Sequence, residues 1–321
     1  MEQKLVLKLI FKRLLWAFFL MIFASFLCFV MIYHAKGSVV FASVPQGTSI
    51  KIKEQIERNL NLDKPLLEQY ENWLFNAMKG DFSYSLISGE KVSKILKEKL
   101  PYTFILGGLA FLVLFMLSLT LALLCVFYKD SFLDKFITFS TMSFFALPAF
   151  SLSLMLILVF AVFFKFFPSS AIADIGFEDD VFNRLWHLFL PVCALVLSHL
   201  AVFVRFIRTS LIDSLNQSFI ESAFARGLSK TRIYLHFVLK DAFGSILAYF
   251  GASFVSFLMG TYIVESVFSY EGVGNLVIKS ILFKDYPVVL AVVIFSILVV
   301  VLVNLIVEII CKMINPRFAN A

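Results

Sequence analysis

Charge is scarce in this 321-residue chain: Asp, Glu, Lys and Arg together make up 16%, against 60% hydrophobic residues. That balance excludes a soluble globule, because no single core of this length hides so much apolar surface. Cysteine is sparse too. Cys28, Cys125, Cys193 and Cys311 fall in separate apolar stretches, with neither CxxC nor metal-ligand spacing, and read as buried apolar side chains. There is no G-x-x-x-x-G-K-[ST] loop, which excludes ATP hydrolysis by this chain alone. The four histidines, His34, His187, His199 and His236, show no H-x-x-x-H pair, and no internal repeat is visible.

What is present is 40 phenylalanines and a mean hydropathy of +0.91, the composition of an all-α integral membrane protein. Apolar stretches long enough to cross a bilayer occur at about 14–33, 103–128, 136–164, 188–209, 245–265 and 288–311, which predicts about six helices. The first follows Lys4, Lys8, Lys12 and Arg13, but it is span-length and no small-x-small cleavage site follows, so it reads as a retained helix. Pro148 and Pro191 are expected to kink or start helices.

Charge orients the bundle. The segment 205–243 carries Arg205, Arg208, Arg226, Lys230, Arg232 and Lys240 against Asp213, Glu221 and Asp241. The segment 165–187 instead carries Asp174, Glu178, Asp179 and Asp180. The positive-inside rule then places both termini, the 129–135 turn and the 205–243 segment in the cytoplasm. The net charge of +6 is spread over such loops, so no nucleic-acid partner is expected. Three regions follow: 1–102, a first helix with an external loop containing helical stretches at Ile50–Leu60 and Val92–Leu100; 103–314, a core of five spans; and 315–321, a cytoplasmic tail.

Within the cytoplasmic segment, Ser218-Phe219-Ile220-Glu221-Ser222-Ala223-Phe224-Ala225-Arg226-Gly227-Leu228-Ser229 has helix-turn-helix punctuation. Ser218 and Glu221 have capping-box spacing, Gly227 ends the helix, and Ser229 caps the next one with Leu228 and Ile233 as a staple. A short helix held between two spans is what a membrane subunit needs to dock into a groove on a soluble partner.

These residues resemble the EAA loop of bacterial ABC importer permeases of the oligopeptide, dipeptide and nickel branch, with Glu221, Ala223 and Gly227 at its spacing. Ala225-Arg226-Gly227-Leu228-Ser229 is similar to that branch's own wording, although Ser222 replaces an alanine and Lys240 stands where many have proline. The resemblance extends along the chain. It includes Gly80-Asp81-Phe82 with Ser85, Leu100-Pro101 with Thr103, Leu147-Pro148-Ala149-Phe150, and Leu190-Pro191 with Arg205 and Arg208. It continues through Glu265 to Gly274, Asp285-Tyr286-Pro287-Val288, and Leu302-Val303-Asn304-Leu305 through Pro316-Arg317.

The resemblance implies a type I ABC importer permease bundle in the bacterial inner membrane, with an ATPase-coupling loop at about 210–243 carried by Ser218, Glu221, Ala223, Ala225, Arg226 and Gly227. Implied partners are a second homologous permease, two ABC ATPases that use ATP and Mg²⁺, an extracytoplasmic binding protein and membrane lipid; no cofactor is bound by this chain. Cargo would be di- or oligopeptides, with nickel or a nickel chelate as the alternative.

His199, Glu265 and Asn304, polar groups at membrane depth, are candidates for the path or a gate, weighed against helix packing. Gly251-Ala252-Ser253 faintly resembles an intramembrane serine protease motif but lacks its second glycine, since Phe254 stands there. A stand-alone secondary transporter or channel would leave the docking helix unexplained.

Overall fold

The computed structural model describes residues 2–34 and 64–314, and the described chain is almost entirely helical. The helices are α1 (Glu2–His34), α2 (Leu66–Met78), α3 (Val92–Phe127), α4 (Phe132–Phe145), α5 (Ala149–Phe163), α6 (Val181–Leu215), α7 (Ser218–Ala225), α8 (Lys230–Val267), α9 (Val273–Leu282) and α10 (Tyr286–Ile314). Four of them, α3, α6, α8 and α10, are unbroken and apolar enough to cross a bilayer. In α1 the stretch Leu15–Met31 is apolar over a shorter length.

The expected span at 136–164 is broken rather than continuous. Helices α4 and α5 meet at a bend of 100°. The cause is Leu147-Pro148: proline lacks an N–H and disfavours helical backbone in the residue before it, so α4 stops and Pro148 caps α5. Pro191 and Pro101 sit inside α6 and α3, which continue past them. The final turns of α5 (Ile157–Phe163) and an early stretch of α8 (Ile233–Val238) are π-helical.

The external loop was expected to run to residue 102, but α3 already begins at Val92, so its N-terminal turns extend the span beyond the apolar stretch. Val92–Leu100 is thus helical, whereas Ile50–Leu60 and the tail at 315–321 lie outside the described residues.

The chain divides into two compact units. One comprises the described residues of Met1–Thr103 together with Glu271–Leu302. Its centre is an apolar cluster of Phe29, Tyr70, Trp73 and Leu290, with Tyr70 edge-on to Phe26 and Phe29 and its hydroxyl bonded to Ser25 and to the Ile22 carbonyl. The turn before α3 is pinned by Asp285. Its buried carboxylate accepts hydrogen bonds from the Ser85 hydroxyl (2.5 Å) and the Leu86 amide (3.0 Å).

The other unit comprises Phe104–Tyr270 and the described part of Val303–Ala321. Its core is aromatic: Phe111 stands edge-on to Phe250, Phe254 and Phe257, and Phe203 packs on Phe250. Burying such rings stabilises by about 25 cal/mol per Å² plus edge-to-face terms. Small residues allow close approach within it. A Cβ on Gly251 would lie 2.9 Å from Val307 Cγ1, so α8 and α10 meet where only hydrogen fits.

Candidate functional site

Helix α7 occupies the polar interval between α6 and α8 that the sequence singled out. Ile220 is fully buried and Ala223 nearly so; at i and i+3 they form one stripe, packed against the π-helical stretch of α8. The opposite face is open: Glu221, Ser222 and Ala225 are exposed there, Arg226 is exposed just beyond the helix end, and Phe219 (42%) and Phe224 (47%) are exposed at the edges of the buried stripe. At about 100° per residue the two phenylalanines flank the buried stripe on its two edges, so this eight-residue helix presents a polar outer face of Glu221, Ser222 and Ala225 bordered by apolar anchors.

The start of this helix differs from expectation. Gln217 is the cap, Ser218 is the first helical residue, and no side-chain capping bond forms. The capping box of Ser218 and Glu221 is therefore not made. With Ser218 already inside the helix, its carbonyl accepts the Ser222 hydroxyl, and the Glu221 side chain stays exposed. The end conforms: Gly227 has φ +76, its N–H donates to the Phe224 carbonyl (2.9 Å), and the Leu228 N–H donates to Ala223 (3.4 Å). Those paired bonds are a Schellman stop, which demands the left-handed backbone that glycine adopts freely. Ser229 does cap α8, but through its carbonyl, which accepts the Ile233 N–H, and not through its hydroxyl; Ile233 is fully buried and Leu228 half-buried.

Two contacts around this site were not read from the sequence. The Lys230 ammonium donates to the Phe127 carbonyl (2.9 Å) and lies 5.3 Å from the Tyr234 ring centroid, so the first residue of α8 caps the C-terminal end of α3. Arg208 on α6 pairs with the buried Asp134 on α4 (2.8 Å), which also accepts the Asp130 N–H. Lysine three residues past a predicted helix stop carries no signal of its partner a hundred positions away. The Asp134–Arg208 pair is equally silent in sequence.

The three candidates for the path sit on three helices, each within its own packing. His199, half-buried on α6, donates from Nδ1 to the Leu195 carbonyl (3.0 Å) and lies against Phe257. A Cβ on Gly260 of α8 would meet its Cε1 at 2.9 Å, so the glycine makes room for the ring. Glu265 is fully buried in the last turn of α8, and its own carbonyl accepts the Tyr270 N–H. Asn304 is half-buried on α10.

In the acidic loop before α6, the buried His187 donates from Nδ1 to the Ser170 carbonyl, with Asp174 3.4 Å from Nε2. The amide of Asn183 donates to Asp174 and, with His187 beside it, holds that carboxyl below its usual range. Among the described residues, no three His, Cys, Asp or Glu side chains are grouped so as to hold a metal ion.

Comparison with known proteins agrees with the geometry. Residues 115–320 match the family described as binding-protein-dependent transport system inner membrane component, and residues 6–107 match the N-terminal region of such membrane components. The chain is 31% identical to the oligopeptide transport system permease protein AppB of Bacillus subtilis, over 96% of this chain and 98% of that one. It is 30% identical to the oligopeptide transport system permease protein OppB of Haemophilus influenzae, over 97% and 99%, and 27% identical to the glutathione transport system permease protein GsiC of Escherichia coli K12, over 97% and 98%. A structure of the MetNI methionine ABC transporter in inward-facing conformations shares the fold at TM-score 0.53 and 13% identity, covering 69% of this chain and 96% of that one. A multi-pass bundle with a short polar helix displayed between two spans, matched along nearly its whole length, places the chain in a family: it belongs to the inner membrane components of binding-protein-dependent transport systems.

Proposed function

We propose that this chain forms half of the translocation path of an ATP-driven importer for di- and oligopeptides, and that α7 is the helix through which a separate ATPase drives it. The observation that carries this reading is that α7, anchored from beneath by Ile220 and Ala223, turns Glu221, Ser222 and Ala225 outward and leaves Phe219 and Phe224 exposed along its two edges. Exposed aromatic residues on a short rigid helix favour insertion into a groove on a soluble partner. A helix fixed at its end by the Gly227 stop, and followed at once by the Lys230 bond to α3, passes on displacement instead of absorbing it.

On this reading the chain pairs with a second, related permease. Two ATPase subunits bind ATP and Mg²⁺ and grip the α7 helices of the pair from the cytoplasm, where both termini of this chain also lie. A binding protein delivers cargo on the other side. ATP-driven approach of the ATPases then switches the bundle between inward-open and outward-open packings, a rigid-body change between two states. Ser218, Glu221, Ala223, Ala225, Arg226 and Gly227 form the coupling loop.

Peptide cargo is favoured over nickel because the relatives compared above are described as permeases for oligopeptides or glutathione. The test is uptake by cells lacking this subunit against complemented cells, with labelled oligopeptides of graded length and radioactive nickel in parallel. Loss of peptide uptake with nickel uptake unchanged is expected. Loss of nickel uptake that excess peptide does not relieve would overturn the cargo assignment.

A further inference from the structure

A cleft between α4 and α6 has a composition that the transport reading leaves unused. Its volume is about 210 Å³, and its two ends differ. Arg205, Arg208 and Thr138 stand toward the end nearest the 129–135 turn, while Thr141, Met142, Ala201 and Val204 line the rest, the Thr141 hydroxyl being spent on the Ile137 carbonyl of its own helix. The polar end lies beside the Asp134–Arg208 pair, four residues along α4 from the charged turn of Lys129 and Asp130. The apolar end lies deeper along both helices. The outer surface of α4 next to it exposes Phe136 (56%) and Phe139 (74%), as a bilayer-facing helix does.

Charge in the cleft does not balance. Arg208 is matched by Asp134, yet Arg205 is exposed and makes no ion pair or hydrogen bond with any described residue. The acids near this end are Asp130 and Asp134, and Asp134 is already held by Arg208 and the Asp130 N–H. A guanidinium beside an apolar wall at the end of a span, next to a second one, attracts an anion with several oxygens, such as a phosphate, that both can grip. A soluble anion would account for the arginines only. An anion carrying an acyl chain accounts for the apolar end as well.

We propose that this cleft is a binding site for an anionic phospholipid, its headgroup phosphate held by Arg205 and Arg208 with Thr138 nearby, and its first acyl carbons lying along Met142, Ala201 and Val204. Such a site ties α4, the first half of the broken span, to a lipid of defined charge.

The protein, extracted with its co-purifying subunits, is placed in bilayers of phosphatidylcholine containing a small fraction of phosphatidylglycerol, and retained lipid is measured by native mass spectrometry. Wild type is expected to retain phosphatidylglycerol selectively, and Arg205→Ala to lose about fivefold of that preference, the share of one cation at an anionic headgroup. Arg205→Lys keeps part of it. Because Arg205 is exposed, its removal leaves the Asp134–Arg208 pair intact, and an unchanged melting profile confirms folding. Equal retention by wild type and Arg205→Ala overturns the proposal. So does displacement of the lipid by millimolar inorganic phosphate, which makes this a soluble-anion site, and so does loss of a co-purifying permease from Arg205→Ala, which makes the cleft a subunit interface.

Discussion

Gly227 bears the sharpest backbone demand in the docking segment. At φ +76 a side chain is strained even though open space surrounds the glycine, so the cost is conformational and not steric. Replacing it by valine is expected to destabilise the helix stop by about 1–2 kcal/mol and to abolish uptake while the protein still inserts; asparagine, which tolerates left-handed backbone, is expected to keep most activity. Uptake assays on membranes with equal protein content separate the two variants, and equal loss in both would show that bulk, not backbone, is at fault. Gly260 poses the opposite case, since its limit is space. Gly260→Val drives a methyl into the His199 ring and is expected to lower stability by about 1–3 kcal/mol. His199→Ala in the same chain should restore most of the loss in a thermal unfolding measurement. If His199→Ala alone stops transport with an unchanged melting midpoint, the ring serves the path and not the packing. Gly227 was legible in the sequence because a left-handed stop has a residue signature. Gly260 was not, because its need arises from a ring on another helix.

The joint between α7 and α8 depends on a contact made by an element outside the docking segment. The Lys230 bond to Phe127 fixes the start of α8 to the end of α3, where the last carbonyls of a helix carry partial negative charge. Lys230→Met keeps the stem that lies by Tyr234 and removes the charge. It is expected to leave ATPase co-purification intact while lowering the number of substrates moved per ATP by roughly fivefold, in line with a loss of about 1 kcal/mol; Lys230→Arg should recover most of it. Unchanged coupling would show that the bond only decorates the surface. Element boundaries were read well where apolar runs set them, as in α10 and at the end of α8, and poorly where polar residues extend a helix, as at Val92, Val181 and Lys230. The third span was legible as hydrophobic but not as broken, since Leu147-Pro148 admits either a kink or a stop, and only packing chooses. Helices α2 and α9 escaped the sequence reading because each is too short to stand out from its loop.

For the molecule as a whole, the legible part was what a bilayer imposes: a helical bundle, and between two of its spans one polar helix, too short to be a span and stopped by Gly227. The contacts that join distant segments were not legible. Ser85 and Asp285 both lay in stretches that resembled the family, yet nothing in a sequence announces that residues two hundred positions apart are hydrogen-bonded. The same holds for the pair Asp134 and Arg208. Partner docking is where the whole assembly can be tested through this chain alone. Phe219 (42%) and Phe224 (47%) stay exposed at the edges of the stripe of Ile220 and Ala223 that holds α7. Replacing either by alanine is expected to weaken ATPase binding by about 2 kcal/mol, roughly thirtyfold, with membrane insertion and melting unchanged. The double variant should then lose the ATPase on purification and fail to import peptide. Retention of the ATPase at wild-type affinity by the double variant would mean that the handle lies elsewhere on the 205–243 segment, and the charged Glu221 and Arg226 would become the next residues to replace.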